Sequence, residues 1–148
     1  MTPIIYITIE QAIETHKQTI EKSGGGDTTT INSAQLESVL NHIQNDDYYP
    51  AFEDKLTHLV WGACKFHCFT DGNKRIAISL GAQFLLFNGY LPLAGKFIHY
   101  MENISYHVAA GRIDKELLHK IICALLDGQE EEESLKLEIY NAIRDDER

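Results

Sequence analysis

Helical periodicity, repeatedly interrupted by helix-terminating residues, is the feature that most limits how this chain of 148 residues can fold. Apolar residues recur at intervals of three and four in one stretch after another, as on the buried face of an amphipathic helix. Stop signals containing glycine follow several of these stretches, at Gly24-Gly25-Gly26, Asn88-Gly89, Gly111 and Asp127-Gly128. The pattern predicts an all-α, single-domain bundle of about six to seven helices.

Start signals locate several of the helices. Thr8 and Gln11 form a capping-box pattern for the first helix, and Asp114 is a suitable N-cap for a later one. Pro92 indicates that residues 90–93 cross between helices, in a partly extended conformation. Three of the helices predicted in this way span about residues 52–66, 97–110 and 115–126. The tail resumes helical periodicity at Leu135, Ile139, Ala142 and Ile143.

Charge and composition exclude several classes of protein. The net charge is −9, and residues 127–148 alone hold nine acidic and three basic residues, a net of −6. A nonspecific nucleic-acid binder needs a cationic face, so no direct nucleic-acid contact is expected. No apolar run reaches the roughly 20 residues of a membrane span, and the N-terminus lacks a signal-peptide pattern. Three widely separated cysteines fit a reducing compartment, so we expect a cytoplasmic protein.

One run of nine residues concentrates the polar chemistry: His67-Cys68-Phe69-Thr70-Asp71-Gly72-Asn73-Lys74-Arg75. It falls between two predicted helices, with Asn73 as N-cap of the second and Lys74 and Arg75 in its first turn. Cations there oppose the helix dipole and cost a few tenths of a kcal/mol or more. A bound anion removes that conflict, and Gly72 permits close approach of its backbone. The run therefore predicts a phosphate site.

Two further residues of the run suit catalysis. Asp71 is placed to hold Mg²⁺, which prefers one or two carboxylates together with phosphate oxygens and water. His67 titrates near neutrality and can take the proton of an attacking hydroxyl. Each residue also has a structural interpretation, as a core-rim histidine, a turn or a solvated cation. Spacing alone favours an anion site and leaves catalysis open.

The same run resembles the signature of the Fic/Doc superfamily, specifically its death-on-curing (Doc) branch. The resemblance covers roughly residues 4–126. We expect residues 1–126 to form the Fic/Doc-like domain and residues 127–148 an acidic extension carrying one amphipathic helix. Other segments that look like this branch are Tyr6-Ile7-Thr8, Gly24-Gly25, Leu36-Glu37-Ser38, Glu53-Asp54-Lys55 and Phe84-Leu85-x-x-Asn88-Gly89.

The resemblance implies an all-α fold that binds ATP with Mg²⁺. By position, His67 would be the catalytic base, Asp71 would position the metal, and Gly72, Asn73, Lys74 and Arg75 would line the phosphate site. Fic-branch proteins have Gly at the position of Lys74 and transfer AMP to a target hydroxyl. Doc-branch toxins, with the Lys, pass the γ-phosphate to a threonine of elongation factor Tu. The Fic branch also has an Arg where this chain has Ile78, so Lys74 and Ile78 together favour the kinase.

Some residues depart from the Doc pattern. Gly72 is a Fic-like feature, because the Doc prototype has Ala there. AMP transfer therefore stays an alternative, as does a non-catalytic module that binds an antitoxin. The Doc branch also implies a cognate antitoxin as partner. Tyr48 and Tyr49 could contact such a partner or pack a loop onto the surface.

Two further patterns have a weaker interpretation. Ser134-x-x-x-Glu138 matches the first part of an inhibitory helix motif, but Ile139 ends the match, so we expect a helix that packs on the domain. Cys64, His67 and Cys68 lack the second ligand pair of a metal site.

Overall fold

The computed structural model describes residues 3–22, 24–25, 33–66 and 73–144, and in these ranges it has seven α-helices and no β-strand. The all-α class and the number of helices are confirmed. The helices are α1 (Ile9–Lys22), α2 (Ser33–His42), α3 (Phe52–Lys65), α4 (Asn73–Phe87), α5 (Leu91–Ala109), α6 (Lys115–Asp127) and α7 (Glu133–Arg144).

Helices α3 and α4 pack on each other at the centre of the bundle. Helix α5 packs mainly on α4 and α6 mainly on α3, while α1 and α2 cover α4 and α3 from the other sides. The centre is apolar and inaccessible to solvent at Leu59, Val60, Ile76, Leu80 and Phe84. Burying each of the larger of these side chains stabilises the fold by roughly 1.5–3 kcal/mol. The bundle therefore fixes the end of α3 and the start of α4 relative to each other.

Two glycines set how closely the central helices approach their neighbours. A Cβ built on Gly62 would lie 2.7 Å from Val39 Cγ2, and one on Gly81 would lie 2.5 Å from Phe97 Cζ. Neither distance is tolerated by real side-chain atoms. Gly62 thus lets α3 lie against α2, and Gly81 lets α4 lie against α5.

The predicted capping signals are confirmed. The Thr8 N–H donates to Gln11 Oε1 at 2.9 Å, and the Gln11 N–H donates to Thr8 Oγ1 at 3.1 Å, so both halves of the capping box form. Asp114 Oδ1 accepts from the Leu117 N–H at 2.8 Å at the start of α6. Gly128 adopts φ 72° at the end of α6, the left-handed conformation that glycine takes without strain.

The predicted start of α5 is wrong. The helix begins at Leu91 rather than near Phe97, and Pro92 lies in its first turn instead of in an extended crossover. Proline fits there because its fixed φ suits a helix and the first turn needs no N–H donor within the helix. The connection from α4 is consequently a tight turn at Asn88 and Gly89.

Asn88 does more than end α4. Its side-chain Oδ1 accepts from the Ile5 N–H at 2.8 Å, and its Nδ2 donates to the Ile5 carbonyl at 2.9 Å and to the Phe84 carbonyl at 2.9 Å. These hydrogen bonds therefore hold the N-terminal segment against the end of α4.

The acidic tail forms the predicted last helix, α7, which packs on α6 through the buried side chain of Leu135. Glu130 does not simply precede this helix as a solvated anion. It is buried and forms an ion pair with Lys96 of α5, which fastens the tail to the bundle. The division of the chain at residue 127 stays a prediction. None of the described helices is long and apolar enough to cross a membrane.

Candidate active site

Helix α3 leads directly into the His67–Arg75 run and is firmly held at its end. The Phe66 N–H caps the helix by donating to the Gly62 carbonyl at 3.0 Å. Lys65 Nζ lies 5.3 Å from the centre of the Trp61 ring and donates to the Val108 carbonyl at 3.3 Å. This bond ties the last turn of α3 to the end of α5, so the chain enters the run from a fixed position.

Helix α4 begins where the run ends. The sequence predicts Asn73 as the N-cap of this helix, whereas the structure has Asn73 as its first helical residue. The two assignments differ by one position, as is common at helix ends. Lys74 is exposed and Arg75 half-buried, whereas the next residues, Ile76 and Ala77, are completely buried. The first turn of α4 thus holds two cations at the surface on a helix anchored in the core.

The electrostatics of this first turn fit an anion. Lys74 forms no ion pair with any residue in the described part of the chain, although the protein carries a net charge of −9. The backbone N–H groups at a helix start have no acceptor within the helix, and the dipole is positive there. An exposed cation at such a position suits phosphate oxygens, as the sequence predicts for Asn73, Lys74 and Arg75.

The other predicted site residues, His67, Asp71 and Gly72, lie outside the described residues. The catalytic role of His67, the metal-positioning role of Asp71 and the part of Gly72 in the phosphate site therefore stay predictions.

Cys64 is an inert neighbour of the run. Burial raises the pKa of its thiol to about 12, even though the charges of Lys65 and Lys74 act in the opposite direction. A thiol with that pKa is neither a nucleophile nor a metal ligand at neutral pH. Among the described residues, no cluster of three or more His, Cys, Asp or Glu side chains could hold a metal ion.

A sequence model described as the Fic/DOC family matches residues 6–85. The match covers more than half of the 148 residues and includes the whole of the His67–Arg75 run. The chain belongs to the Fic/DOC family. Fic/DOC enzymes are transferases that use ATP, typically with Mg²⁺. The predicted superfamily is confirmed. A comparison with curated proteins found no match.

The Fic/DOC match ends within α4, so α5, α6 and α7 lie beyond it. In these helices Glu138 forms an ion pair with Lys120 at 3.2 Å, which joins α7 to α6. This agrees with the expectation of an amphipathic helix that packs on the domain.

The two tyrosines of the loop between α2 and α3 behave differently. Tyr49 stacks on His58 with a centroid distance of 4.7 Å, so the packing interpretation holds for it. Tyr48 is 78% exposed and stays available to a partner.

Sequence reasoning missed a second polar cluster, at the beginning of α3. It joins His58 and Asp54 of α3 to Lys115 and His119 of α6. The contacting residues lie 57 and 65 positions apart in the chain, and no local motif links them.

Proposed function

We propose that this Fic/DOC protein is a Doc-like toxin that transfers a phosphoryl group from ATP to a hydroxyl of a protein target. The observation that carries the proposal is the identity of the second residue of α4. Lys74 stands where the Fic branch has glycine, and it offers at the helix start a cation that forms no ion pair with the residues described in the structure. A long cation both fills space and shifts the preferred position of a bound triphosphate, which favours delivery of the γ-phosphate.

The residues of the run would share the chemistry as follows. His67 takes the proton from the target hydroxyl. The first turn of α4, with Asn73, Lys74 and Arg75, holds the phosphates through its N–H groups and cations, and Gly72 allows the backbone to come close. Positioning and charge neutralisation account for most of the catalysis in phosphoryl transfer, so a small rigid site suffices.

Mg²⁺ fits this donor set, because the cationic helix start attracts a triphosphate whose oxygens, together with the Asp71 carboxylate, are ligands that Mg²⁺ prefers. When bound, the ion would neutralise phosphate charge. Asp71 would help to position it.

The target we propose is a threonine of elongation factor Tu, and the partner a cognate antitoxin, a segment of which docks beside the active site. Both follow from the resemblance to the Doc branch, as does a cytoplasmic location. AMP transfer to a protein hydroxyl is the second candidate, favoured by Gly72.

Position-specific labelling of ATP tests the proposal. The purified chain is incubated with Mg²⁺, elongation factor Tu and ATP that carries label at either the α- or the γ-phosphate. Label transferred only from the γ-position supports the kinase. Label from the α-position would replace it with AMP transfer, and absence of both labels would favour a non-catalytic antitoxin-binding module.

A Lys74→Gly variant sharpens the test, since it installs the Fic-branch residue and leaves Arg75 in place. We expect it to lose γ-label transfer while its helical circular dichroism stays unchanged, because Lys74 is exposed and supports no described packing. Undiminished γ-transfer would show that Lys74 does not select the phosphate.

A further inference from the structure

A cleft of about 330 Å³ lies beside the beginning of α3 and the beginning of α6. We call it the Lys115 cleft; its lining residues are Tyr48, Tyr49, Asp54, Thr57, Lys115, Glu116 and His119. The helical rise places Thr57 about 12 Å along α3 from Lys65. The Lys115 cleft therefore lies away from the end of α3, and none of its lining residues belongs to α4 or to the His67–Arg75 run.

Lys115 has an unusual partner in this cleft. Its Nζ lies 2.9 Å from His58 Nδ1 and 5.4 Å from the centre of the Tyr49 ring. No carboxylate of the described residues forms an ion pair with it, in contrast to Lys55, Lys96, Lys120 and Lys136. The ammonium form of Lys115 is thus held by a neutral acceptor and an aromatic face rather than by an opposite charge.

Position on the helix disfavours the charged form further. Lys115 is the first residue of α6, where the helix dipole repels a cation. The nearby Asp114 carboxylate is engaged by the Leu117 N–H, as an N-cap. Burial lowers the pKa of Lys115, so more of it is neutral amine than in an ordinary lysine.

His58 orients that amine as a neutral hydrogen-bond acceptor. Burial, followed by the charges of Lys115 and His42, lowers the pKa of His58 to about 4, so its ring is neutral at physiological pH. Its side chain is only 6% exposed, and Nε2 is buried with no hydrogen-bond partner in the described structure. A buried polar atom left unpaired costs roughly 1–3 kcal/mol, and such costs are common at functional sites.

Cys123 is the other nucleophilic side chain nearby, and it is unsuitable. Its Sγ lies 3.6 Å from His119 Nε2 and 3.9 Å from Nδ1, so it faces the ring rather than one nitrogen. His119 Nε2 is already engaged with Asp54 Oδ1 at 2.7 Å. Burial and neighbouring acids raise the pKa of the Cys123 thiol, which keeps it protonated.

We propose that Lys115 is a nucleophilic amine that forms an imine with small, neutral hydroxyaldehydes bound in the Lys115 cleft. The Glu116 carboxylate can accept hydrogen bonds from the hydroxyl groups of such a ligand, and the negative charges of Asp54 and Glu116 repel an anionic one. The volume admits a molecule of a few carbon atoms beside the Tyr48 and Tyr49 rings.

The reaction balances without a further reactant. Lys115 releases its ammonium proton to solvent, and the nitrogen lone pair attacks the aldehyde carbon. The carbonyl electron pair moves to oxygen, which takes up a proton to give a carbinolamine. Loss of water from this adduct leaves the C=N bond, so one amine and one aldehyde give one imine and one water.

Reductive trapping tests the proposal on the full chain. The protein is incubated at neutral pH with glycolaldehyde and cyanoborohydride, and modified lysines are identified by peptide mass spectrometry. Lys120 is the internal reference, because it lies on the same helix, is more exposed, and is paired with Glu138. We expect Lys115 to be modified several times faster than Lys120, with a rate that saturates as glycolaldehyde increases.

Matched ligands and variants distinguish a specific binding site at Lys115 from the general reactivity of lysine amines. Glyoxylate, which is similar in size but anionic, should modify Lys115 several times more slowly than glycolaldehyde does. His58→Gln should slow modification of Lys115 and leave Lys120 unaffected, and Lys115→Arg should abolish the fast phase.

Several outcomes would overturn the proposal: Lys115 modified no faster than Lys120, a rate linear in glycolaldehyde at all concentrations, or no preference over glyoxylate. If His58→Gln unfolds the protein, the ratio of Lys115 to Lys120 modification in the unaltered chain still decides.

Discussion

The two ends of helix α3 are fixed by different means. At the beginning, polar contacts hold the helix: Lys55 Nζ donates to the Ile43 carbonyl and to Asp46 Oδ1, both at 2.7 Å, although the lysine is completely buried. At the end, close packing holds it, because Gly62 lets Val39 approach where a methyl group would clash. Lys65 adds only one longer bond to a carbonyl at 3.3 Å.

This difference suits the chemistry assigned to each end. Buried polar groups require partners of matched charge and geometry. Burial also suppresses protonation, as at His58. Packing imposes no such electrostatic condition. The end of α3 therefore leads towards a helix start with an exposed Lys74, while the other half of α3 contributes His58 to a lysine–histidine pair at an open cleft.

The largest predicted effect separates the chemistry of the two ends. His67→Ala removes the proposed base and should lower phosphoryl transfer by about 100-fold or more, the usual contribution of a general base. Glycolaldehyde modification of Lys115 in the same variant should be unchanged. Transfer that survives the substitution would reject His67 as the base. A change in Lys115 modification would show that the two sites are coupled.

The next effect concerns the beginning of α3 and depends on pH. The pKa of His58 is about 4 in the folded protein, against an ordinary value of 6.5. Between these values the unfolded chain binds more protons, so the free energy of unfolding rises with pH in that window. Acidification from pH 6.5 to 4 should cost up to about 3 kcal/mol through this residue alone.

Urea unfolding at several pH values measures the effect of His58. His58→Gln cannot titrate, so its free energy of unfolding should fall less than that of the unaltered chain between pH 6.5 and 4. Parallel curves for the two proteins would show that His58 is not held neutral by the fold.

The smallest effect compares one lysine at each end of α3. Lys55→Met removes two short hydrogen bonds at a buried position and should lower the free energy of unfolding by about 1–3 kcal/mol. Lys65→Met loses one longer hydrogen bond and the contact of the cation with the Trp61 ring, both at a partly exposed position, so its cost should not exceed about 1 kcal/mol. Both are read from urea denaturation at neutral pH. Equal costs would contradict the distinction between polar and packed ends.

Local signals in the sequence were enough for most of the fold. The Thr8–Gln11 capping box and the Asp114 cap are formed by residues three positions apart, so their patterns are visible without tertiary information. The start of α5 is predicted wrongly because proline both interrupts helices and begins them, and only the surrounding packing decides which of the two Pro92 does. The run at residues 67–75 was prominent for the same local reason as the caps.

The cluster at the beginning of α3 could not be predicted in this way. Lys55 directly follows two acidic residues, Glu53-Asp54, and nothing in the sequence reveals that it pairs instead with Asp46, which is itself 79% exposed. Lys115 and His58 meet only because α6 packs on α3. Burial changes the protonation of both residues, and burial is a property of the assembled bundle.

The two hydrogen bonds between the Ile5 backbone and the Asn88 side chain have a consequence for the order of folding events during synthesis. The two residues are 83 positions apart, and a ribosome adding about 5–20 residues per second needs roughly 4–17 s to make the intervening chain. The N-terminal segment therefore waits undocked while α1 to α4 are being made. Its docking becomes available only after the His67–Arg75 run has already been translated.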